Sequence, residues 1–435
     1  MTKNIKNSLL QDPIDMKSST SRSTSSRQVN DIEFITRDEA LKILGIKKES
    51  LYTYASRGLI KKTKDPVKNT SLYLKTDVEK MKTRAGIRQG VQRVAPMLRY
   101  GEPVVQSWIC DITSEGPRYR GHLATSLARE GRSFEFVVDL IWGGIPRTKD
   151  MPWNTREVSL PQHIHQVISL YDPQISPLNT FAAIALKLRT LNLTDDNDEN
   201  MNSRSIGINL IQAFSGLAGY FGSKHEYEAT VDQEFISKRL IRGFELAEHS
   251  KANIIEQAIN SSLILCADHE LSAPTFTARI TASTGVDLFA CIVSALMAQS
   301  GPMQVGGASD LEDLLENIIN SPSGLVDTYF EIPCFDHPLY DQDPRAIEIM
   351  KYVELIASDN YTATFLLEFV STIQHKSGRY PNIFGALVIL AMSLGLKKGA
   401  AAFLHTLGRS AGWVAHTVEQ RLTGTMLRPR AHYMA

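Results

Sequence analysis

Apolar residues recur along most of this chain with the three-to-four-residue period of amphipathic helices. After about residue 90, such segments alternate with short Gly or Pro breaks, and strict β-type alternation is scarce. The pattern predicts helices over 134–141, 177–191 and 310–319, and an exposed polar loop over 195–205. The apolar run 383–396 is too short to cross a bilayer and predicts a buried helix. We therefore expect an all-α body.

A smaller module is predicted ahead of this body. Residues 1–30 are rich in Ser and Thr and poor in large apolar side chains, which predicts a disordered tail because burial cannot offset its ordering entropy. Thr36 and Glu39 form a capping box that begins a helix. Residues 48–57 are predicted to form a second helix, and the lysine-rich segment 61–68 follows it.

Charge and composition refine the picture. Residues 1–90 carry 19 Lys and Arg against 10 Asp and Glu, whereas the remainder carries 28 against 37. This asymmetry indicates two modules with different partners, unless the basic front only aids solubility. The four cysteines are far apart without a CxxC pair, which favours reduced thiols in a cytoplasm and no structural metal. The start has no apolar signal segment, and no membrane association is expected.

The order helix, turn, helix and basic wing over 35–73 resembles the winged helix-turn-helix of MerR-type regulators. Leu44-Gly45-Ile46 matches the turn, and Tyr73 matches the end of the wing. The resemblance implies a helix that enters the DNA major groove beside lysines that contact phosphates. A protein–protein role for this module remains the alternative. The candidate DNA-contacting residues are Ser50, Tyr52, Thr53, Arg57, Lys61, Lys62 and Lys64.

Four sequence blocks in the body resemble the citrate synthase family. The first comprises Tyr119-Arg120-Gly121 with 133–146, and the second is the 267–285 segment AlaAspHisGluLeuSerAlaProThr…SerThrGly. The third is His337-Pro338-Leu339-Tyr340 with Asp343-Pro344-Arg345-Ala346, and the fourth is 407–416 with 428–430. The resemblance implies a large and a small helical domain with a cleft between them, in a homodimer. Acetyl-CoA or another acyl-CoA would be the co-substrate and an oxaloacetate-like dicarboxylate the acceptor, with no bound cofactor.

The same resemblance implies roles for individual residues. His269 matches a histidine that stabilises the enol of the acyl group, and His337 matches the histidine of a glycine-rich loop. Arg409 matches an arginine for a substrate carboxylate, and Arg428 matches an arginine supplied across the dimer interface. Arginine suits this task because its planar fork binds a carboxylate through two hydrogen bonds.

Three segments depart from the family pattern. Within 301–308, where the family has its ketone-polarising histidine, either Gln304 or Val305 occupies the position. Phe384 occupies the position of the catalytic aspartate, and a phenyl ring cannot accept a proton. Two glycines of the loop before His337 are replaced by Cys334 and Asp336. We hypothesise that the Asp336 carboxylate replaces the lost base.

The expected organisation is a tail over 1–30, a winged helix-turn-helix over 31–88, and a citrate-synthase-like domain over 90–435 whose small domain spans about 271–394. Three functions stay open. The first is a citrate-synthase-type acyltransferase with altered or weak activity. The second is an inactive, metabolite-sensing DNA-binding regulator. The third is an inactive subunit that pairs with an active paralogue.

Overall fold

The computed structural model describes part of the chain in detail. The described residues are 34–44, 48, 51–52, 55, 60, 62–64, 70–75, 78, 105–143, 149–153, 168, 177–190, 199–320 and 332–428, with backbone only at 64 and 199–202. The chain divides into two compact units, Met1–Leu98 and Arg99–Ala435.

The described part of the first unit includes a short helix and a small antiparallel sheet. The strands are β1 (Phe34–Thr36), β2 (Lys62–Lys64) and β3 (Ser71–Leu74), in the order β1-β3-β2, and the helix is α1 (Arg37–Leu44). The predicted capping box is confirmed, since the Thr36 backbone N–H donates to Glu39 Oε2 at 2.8 Å. Tyr73 of β3 is fully buried. It belongs to an apolar cluster that includes Ile35 of β1 and Ala40 and Leu44 of α1.

The second unit is mostly helical, as expected for an all-α body. A short antiparallel sheet begins it, made of β4 (Cys110–Thr113), β5 (Gly116–Tyr119) and β6 (His122–Leu123). The described helices are α2 (Ala124–Arg129), α3 (Phe134–Gly143), α4 (Pro177–Thr190), α5 (Glu199–Ser215), α6 (Ile236–Gly243), α7 (Ala252–Cys266), α8 (Ala273–Ser283), α9 (Leu288–Gln299), α10 (Gly307–Asn320), α11 (Pro344–Ala357), α12 (Tyr361–Ser377), α13 (Ile383–Ser393) and α14 (Ala400–Thr423).

Most of the helix predictions are confirmed. Helices α3, α4 and α10 cover the predicted segments, and the apolar run at 383–396 forms the buried helix α13. The predicted loop over 195–205 is wrong from Glu199 onward, because α5 begins there. Ser203 is buried in that helix, so polar composition did not keep this segment at the surface.

Helix α14 passes through the centre of the second unit. It packs against α7, and its Gly412 backbone N–H donates to Ala267 O at 2.9 Å. A Cβ atom at Gly412 would lie 2.2 Å from Asp268 Oδ1, and one at Gly408 would lie 2.7 Å from Leu263 O. Glycine therefore permits an approach that no side chain would allow, and this approach brings the chain after α7 against α14.

Among the described helices, none alone has the length and apolar character needed to cross a bilayer. The pair Leu288–Gln299 and Pro302–Asn320, bent by 52°, meets that criterion only when the two are taken together. Most of the Leu288–Gln299 segment packs in the core of the second unit, with Leu288, Ile292, Ala295 and Leu296 buried.

Candidate active site

A buried ion pair forms one wall of the candidate site. Asp343 caps the start of α11 and receives hydrogen bonds from the Arg345 backbone N–H and from Arg345 Nε and Nη2, the last at 2.7 Å. Burial alone would raise the pKa of Asp343, but the charge and hydrogen bonds of Arg345 outweigh it and hold the pKa below its ordinary value. The Ile383 backbone N–H also donates to Asp343, so both carboxylate oxygens are occupied.

His337 stands beside this ion pair and presents a hydrogen-bond donor. The Leu339 backbone N–H donates to His337 Nδ1 at 3.1 Å, so a neutral ring carries its hydrogen on Nε2. That Nε2 lies 3.3 Å from Arg345 Nη2, which is also a donor. Burial, followed by the charge of Arg345, lowers the pKa of His337 to about 4. Two donors therefore face the same space, where an acceptor oxygen could satisfy both.

His269 lies in the turn between α7 and α8, with its ring centroid 5.4 Å from that of His337. Its Nε2 is 3.4 Å from the Tyr340 hydroxyl. Burial, and then the charges of Arg345 and Arg409, hold the pKa of His269 well below its ordinary value. The imidazole is therefore neutral at pH 7, and it lies in the field of both guanidinium groups.

Arg409, on α14, is only 3% exposed and has no carboxylate partner among the described residues. Its Nε donates to Cys266 O at 2.7 Å, and its Nη1 lies 3.5 Å from Ser272 Oγ. A buried guanidinium without a counter-charge is costly, and an anionic ligand would remove that cost. Together, Arg409, Arg345, His269 and His337 form what we call the donor cage.

A buried hydrogen-bond chain lies behind the cage. His416 Nε2 is 3.1 Å from Asp268 Oδ2, both residues are fully buried, and Arg279 Nη1 lies 3.0 Å from His416 Nδ1. Arg279 also pairs with Glu419. Because Asp268 directly precedes His269, this chain fixes the backbone that carries the His269 ring.

Phe384, which the sequence resemblance places where the family has its catalytic aspartate, makes an aromatic contact. The Phe384 ring stacks on the His405 ring, with 4.2 Å between centroids and 29° between planes. Gln299 Nε2 lies 3.0 Å from His405 Nδ1, and both side chains are at most 2% exposed. Burial, and then the charges of Arg409 and Arg345, hold the pKa of His405 well below its ordinary value.

The other two departing segments meet near Phe384. Val305 packs against the Phe384 ring, and Gly307 lies beside Cys334, since a Cβ there would be 3.4 Å from its Sγ. Cys334 and Asp336 have φ angles of 59° and 97°, in the region that favours glycine. The loop therefore keeps a glycine-type backbone although both positions carry side chains, which stores strain.

The site residues expected from the sequence are only partly brought together. His269, His337 and Arg409 share the donor cage. The Asp336 carboxylate instead accepts from Arg379 Nε at 2.6 Å at the surface, and Arg428 is exposed in the single chain. Gln304 has non-helical backbone angles and makes no side-chain hydrogen bond to a described residue. The replacement of the lost base by Asp336 and the substrate binding by Gln304 stay predictions.

The candidate DNA-contacting residues belong to the first unit. Tyr52 is 42% exposed, and Lys62 is exposed on β2. Ser50, Thr53, Arg57 and Lys61 lie outside the described residues, as does the Lys64 side chain. Their proposed contacts with DNA stay predictions.

Sequence reasoning did not single out five residues of the site. Arg345 and Asp343 were noted only as part of a matching loop, and Tyr340 only as its neighbour. His405 and Gln299 were not noted at all. The available signal was the spacing of His405 and Arg409, which lie four residues apart and so share a helix face.

Comparisons with known proteins identify the family. The family described as "Citrate synthase, C-terminal domain" matches residues 99–430. The chain belongs to the citrate synthase family. It is 27% identical over 342 residues to the 2-methylcitrate synthase of Shewanella oneidensis, covering 74% of this chain and 90% of that protein. It is 26% identical to citrate synthase 2 of Bacillus subtilis, covering 77% and 94%.

Solved structures of the same family show the same fold. Citrate synthase of Thermoplasma acidophilum, solved as a ternary complex with carboxymethyl coenzyme A and oxaloacetate, has a TM-score of 0.62 and 21% identity, covering 77% of this chain and 94% of that one. The Thermotoga maritima enzyme has a TM-score of 0.56 and 23% identity, covering the same shares. The citrate synthase fold expected for the body is therefore confirmed.

Proposed function

We propose that this protein condenses an acyl-CoA, with acetyl-CoA as the first candidate, with oxaloacetate or a similar 2-oxo dicarboxylate. The observation that carries the proposal is the excess of donors in the donor cage. The donors Arg345 Nη2 and His337 Nε2–H lie 3.3 Å apart, and the carboxylate beside them, Asp343, has both oxygens occupied. Among the described residues, the guanidinium of Arg409 hydrogen-bonds only to neutral oxygens. A dianion with two carboxylates fits such a site by charge and by hydrogen bonding.

The proposed roles follow from the contacts. Arg409, whose charge is not compensated, holds one carboxylate. Arg345 Nη2 and His337 Nε2–H bind an oxygen of the same molecule, and His269 extends the cage from the other side. The sequence resemblance gave His269 the task of stabilising the enol; its position between the two arginines favours contact with the dicarboxylate instead. Arg428 of a second subunit would complete the cage in a homodimer.

We propose that the reaction is slow or altered relative to the family. A general base contributes about 10²–10⁴ to a rate, and a Phe384 ring cannot supply it. The aromatic pair Phe384–His405 fills the place of the missing carboxylate. Binding of the dicarboxylate by the donor cage does not depend on a base at position 384. Binding and condensation can therefore be measured in separate assays.

Two assays test the proposal. Isothermal titration of the purified protein with oxaloacetate measures the cage, with Arg409→Met as the variant expected to lose affinity. Release of CoA from acetyl-CoA and oxaloacetate measures condensation. If oxaloacetate bound but no CoA release could be measured, the binding role of the donor cage would be supported, and catalysis by this chain alone would be contradicted. Absence of oxaloacetate binding would contradict the proposal as a whole.

A second candidate function is an inactive protein that binds the dicarboxylate and signals or supports a partner. Phe384 in place of the base favours it. Repeating the CoA-release assay with an active paralogue separates the readings, because a stimulated rate in the mixture would identify a supporting subunit. Light scattering would test the homodimer in the same preparation.

DNA binding by the first unit is a proposal that rests on its charge and on the β2–β3 hairpin carrying the exposed Lys62. Mobility-shift assays at several salt concentrations, with and without oxaloacetate, would test it in the full-length protein. Phosphate contacts require affinity to fall as salt rises. Lack of binding to any fragment at low salt would exclude this role.

We propose that the protein is cytoplasmic, because its four cysteines are far apart and form no CxxC pair, which favours reduced thiols.

A further inference from the structure

His405 occupies a special position between the donor cage and the altered catalytic position. It lies one helical turn before Arg409 on α14, so both side chains project from the same face. On its other side, the ring stacks on Phe384 at 4.2 Å. The His405 imidazole therefore lies against Phe384 and in the field of Arg409, which is the arginine proposed to hold a carboxylate.

Gln299 determines which ring nitrogen carries the hydrogen. Its amide nitrogen, Nε2, is a donor only, and it lies 3.0 Å from His405 Nδ1, which must then accept. A neutral ring with an accepting Nδ1 carries its hydrogen on Nε2. Within the described residues, His405 has no hydrogen-bond partner other than Gln299, so this Nε2–H is free to bind a ligand oxygen. The neighbouring Arg409 and Arg345 oppose protonation and keep the ring neutral.

We propose that His405 is a hydrogen-bond donor to the acyl-CoA, and that its Nε2–H binds the thioester carbonyl oxygen. Gln299 is a positioning residue that fixes the tautomer. The inference rests on the proposed function, since it requires an acyl-CoA in the site. A neutral donor of this kind stabilises a developing oxyanion without introducing a charge that would have to be desolvated.

The test uses carboxymethyl-CoA, whose carboxylate oxygen stands in for the enolate oxygen, titrated into the full-length protein saturated with oxaloacetate. His405→Phe keeps an aromatic ring against Phe384 and removes the donor, and His405→Gln restores an N–H donor. We expect His405→Phe to weaken carboxymethyl-CoA binding by about tenfold to a hundredfold. His405→Gln should recover most of this loss. CoA itself lacks the carboxymethyl carboxylate, so its affinities for the three proteins should agree within about twofold.

The outcomes separate this inference from the proposed function. Unchanged carboxymethyl-CoA affinity in His405→Phe would overturn the role of His405 and leave the function standing. An equal loss of oxaloacetate affinity in that variant would instead assign His405 to the donor cage. If the wild type bound oxaloacetate but not carboxymethyl-CoA, both the inference and the acyl-CoA half of the proposed function would fail.

Gln299→Leu tests the tautomer. In spectra of protein containing ¹⁵N-labelled histidine, the resonances of His405 are those lost in His405→Gln. We expect the wild type to show a protonated Nε2 and an unprotonated Nδ1, and Gln299→Leu to show a mixture of tautomers with weaker carboxymethyl-CoA binding. A protonated Nδ1 in the wild type would contradict the donor role, because Nε2 would then carry a lone pair.

Discussion

Removing the charge of each arginine of the donor cage should change the free energy of unfolding by very different amounts. Arg345 is paired with the fully buried Asp343, whereas the hydrogen bonds of Arg409 to described residues go to the neutral oxygens of Cys266 and Ser272. Arg345→Met leaves a buried carboxylate without its counter-charge, which should lower the free energy of unfolding by about 3–5 kcal/mol. Arg409→Met loses one good hydrogen bond but also removes a buried, uncompensated cation. These effects oppose each other, so the change should stay within about 2 kcal/mol.

Oxaloacetate should stabilise the wild type much more than it stabilises Arg409→Met. At a concentration about 100 times the dissociation constant, a ligand that binds only the folded state stabilises it by about 2.7 kcal/mol. Removing a buried charged contact to the ligand costs about 2–5 kcal/mol of binding, or about thirtyfold and more in affinity. At the same oxaloacetate concentration, the stabilisation of Arg409→Met should therefore fall below about 1 kcal/mol.

Urea unfolding followed by circular dichroism at pH 7, with and without oxaloacetate, measures both quantities. Arg118→Met is a suitable control, because its partly exposed pair with Glu115 should contribute less than about 1 kcal/mol and its ligand response should equal that of the wild type. The reasoning fails if Arg409→Met is as destabilised as Arg345→Met without ligand. It also fails if Arg409→Met keeps the full stabilisation by oxaloacetate.

Three further predictions concern the base, the ion pair and the helix contact. Phe384→Asp should raise CoA release by about 10²–10⁴, because it restores a proton acceptor, and an unchanged rate would show that the base is not what limits the reaction. Asp343→Asn should lower the free energy of unfolding by about 3–5 kcal/mol at pH 7. Because the pKa of Asp343 is held down, the wild-type advantage should be present above about pH 4 and disappear as the pH falls through the lowered pKa; urea midpoints that differ equally at pH 7 and in acid would argue against this. Gly412→Ala should lower the thermal midpoint through a loss of about 1–3 kcal/mol, because its Cβ would meet Asp268 Oδ1, while Gly143→Ala, with open space, should change stability by less than about 0.5 kcal/mol. Equal midpoints for the two glycine variants would contradict the close approach.

Much of the fold could be predicted from local patterns. Apolar residues at helical spacing identified α3, α4, α10 and α13, and the Thr36–Glu39 capping box identified the start of α1. The error at Glu199 has a clear cause. A polar stretch reads as a loop when judged by composition, but packing against neighbouring helices can bury part of it, as it does Ser203.

Only some residues of the candidate site could be predicted from the sequence. The matching blocks pointed to His269, His337 and Arg409, and they predict that Phe384 stands where the family has its aspartate. The partner of Phe384 was not visible, because His405 is separated from it by 21 positions and by the turn between α13 and α14. Asp336 stood out in the sequence as a new carboxylate, yet its oxygen accepts from Arg379 at the surface.

The sequence by itself determined the helical class of the body and its family, because both depend on residue type and local order, and it predicts that a phenyl ring stands where the family has a proton acceptor. Only the tertiary structure decided which charges are compensated: among the described residues, Asp343 pairs with Arg345, and Arg409 has no carboxylate partner. A hydrogen bond with the distant Gln299 likewise decides which nitrogen of His405 donates. These properties depend on distances across the fold, and residue order along the chain does not specify them.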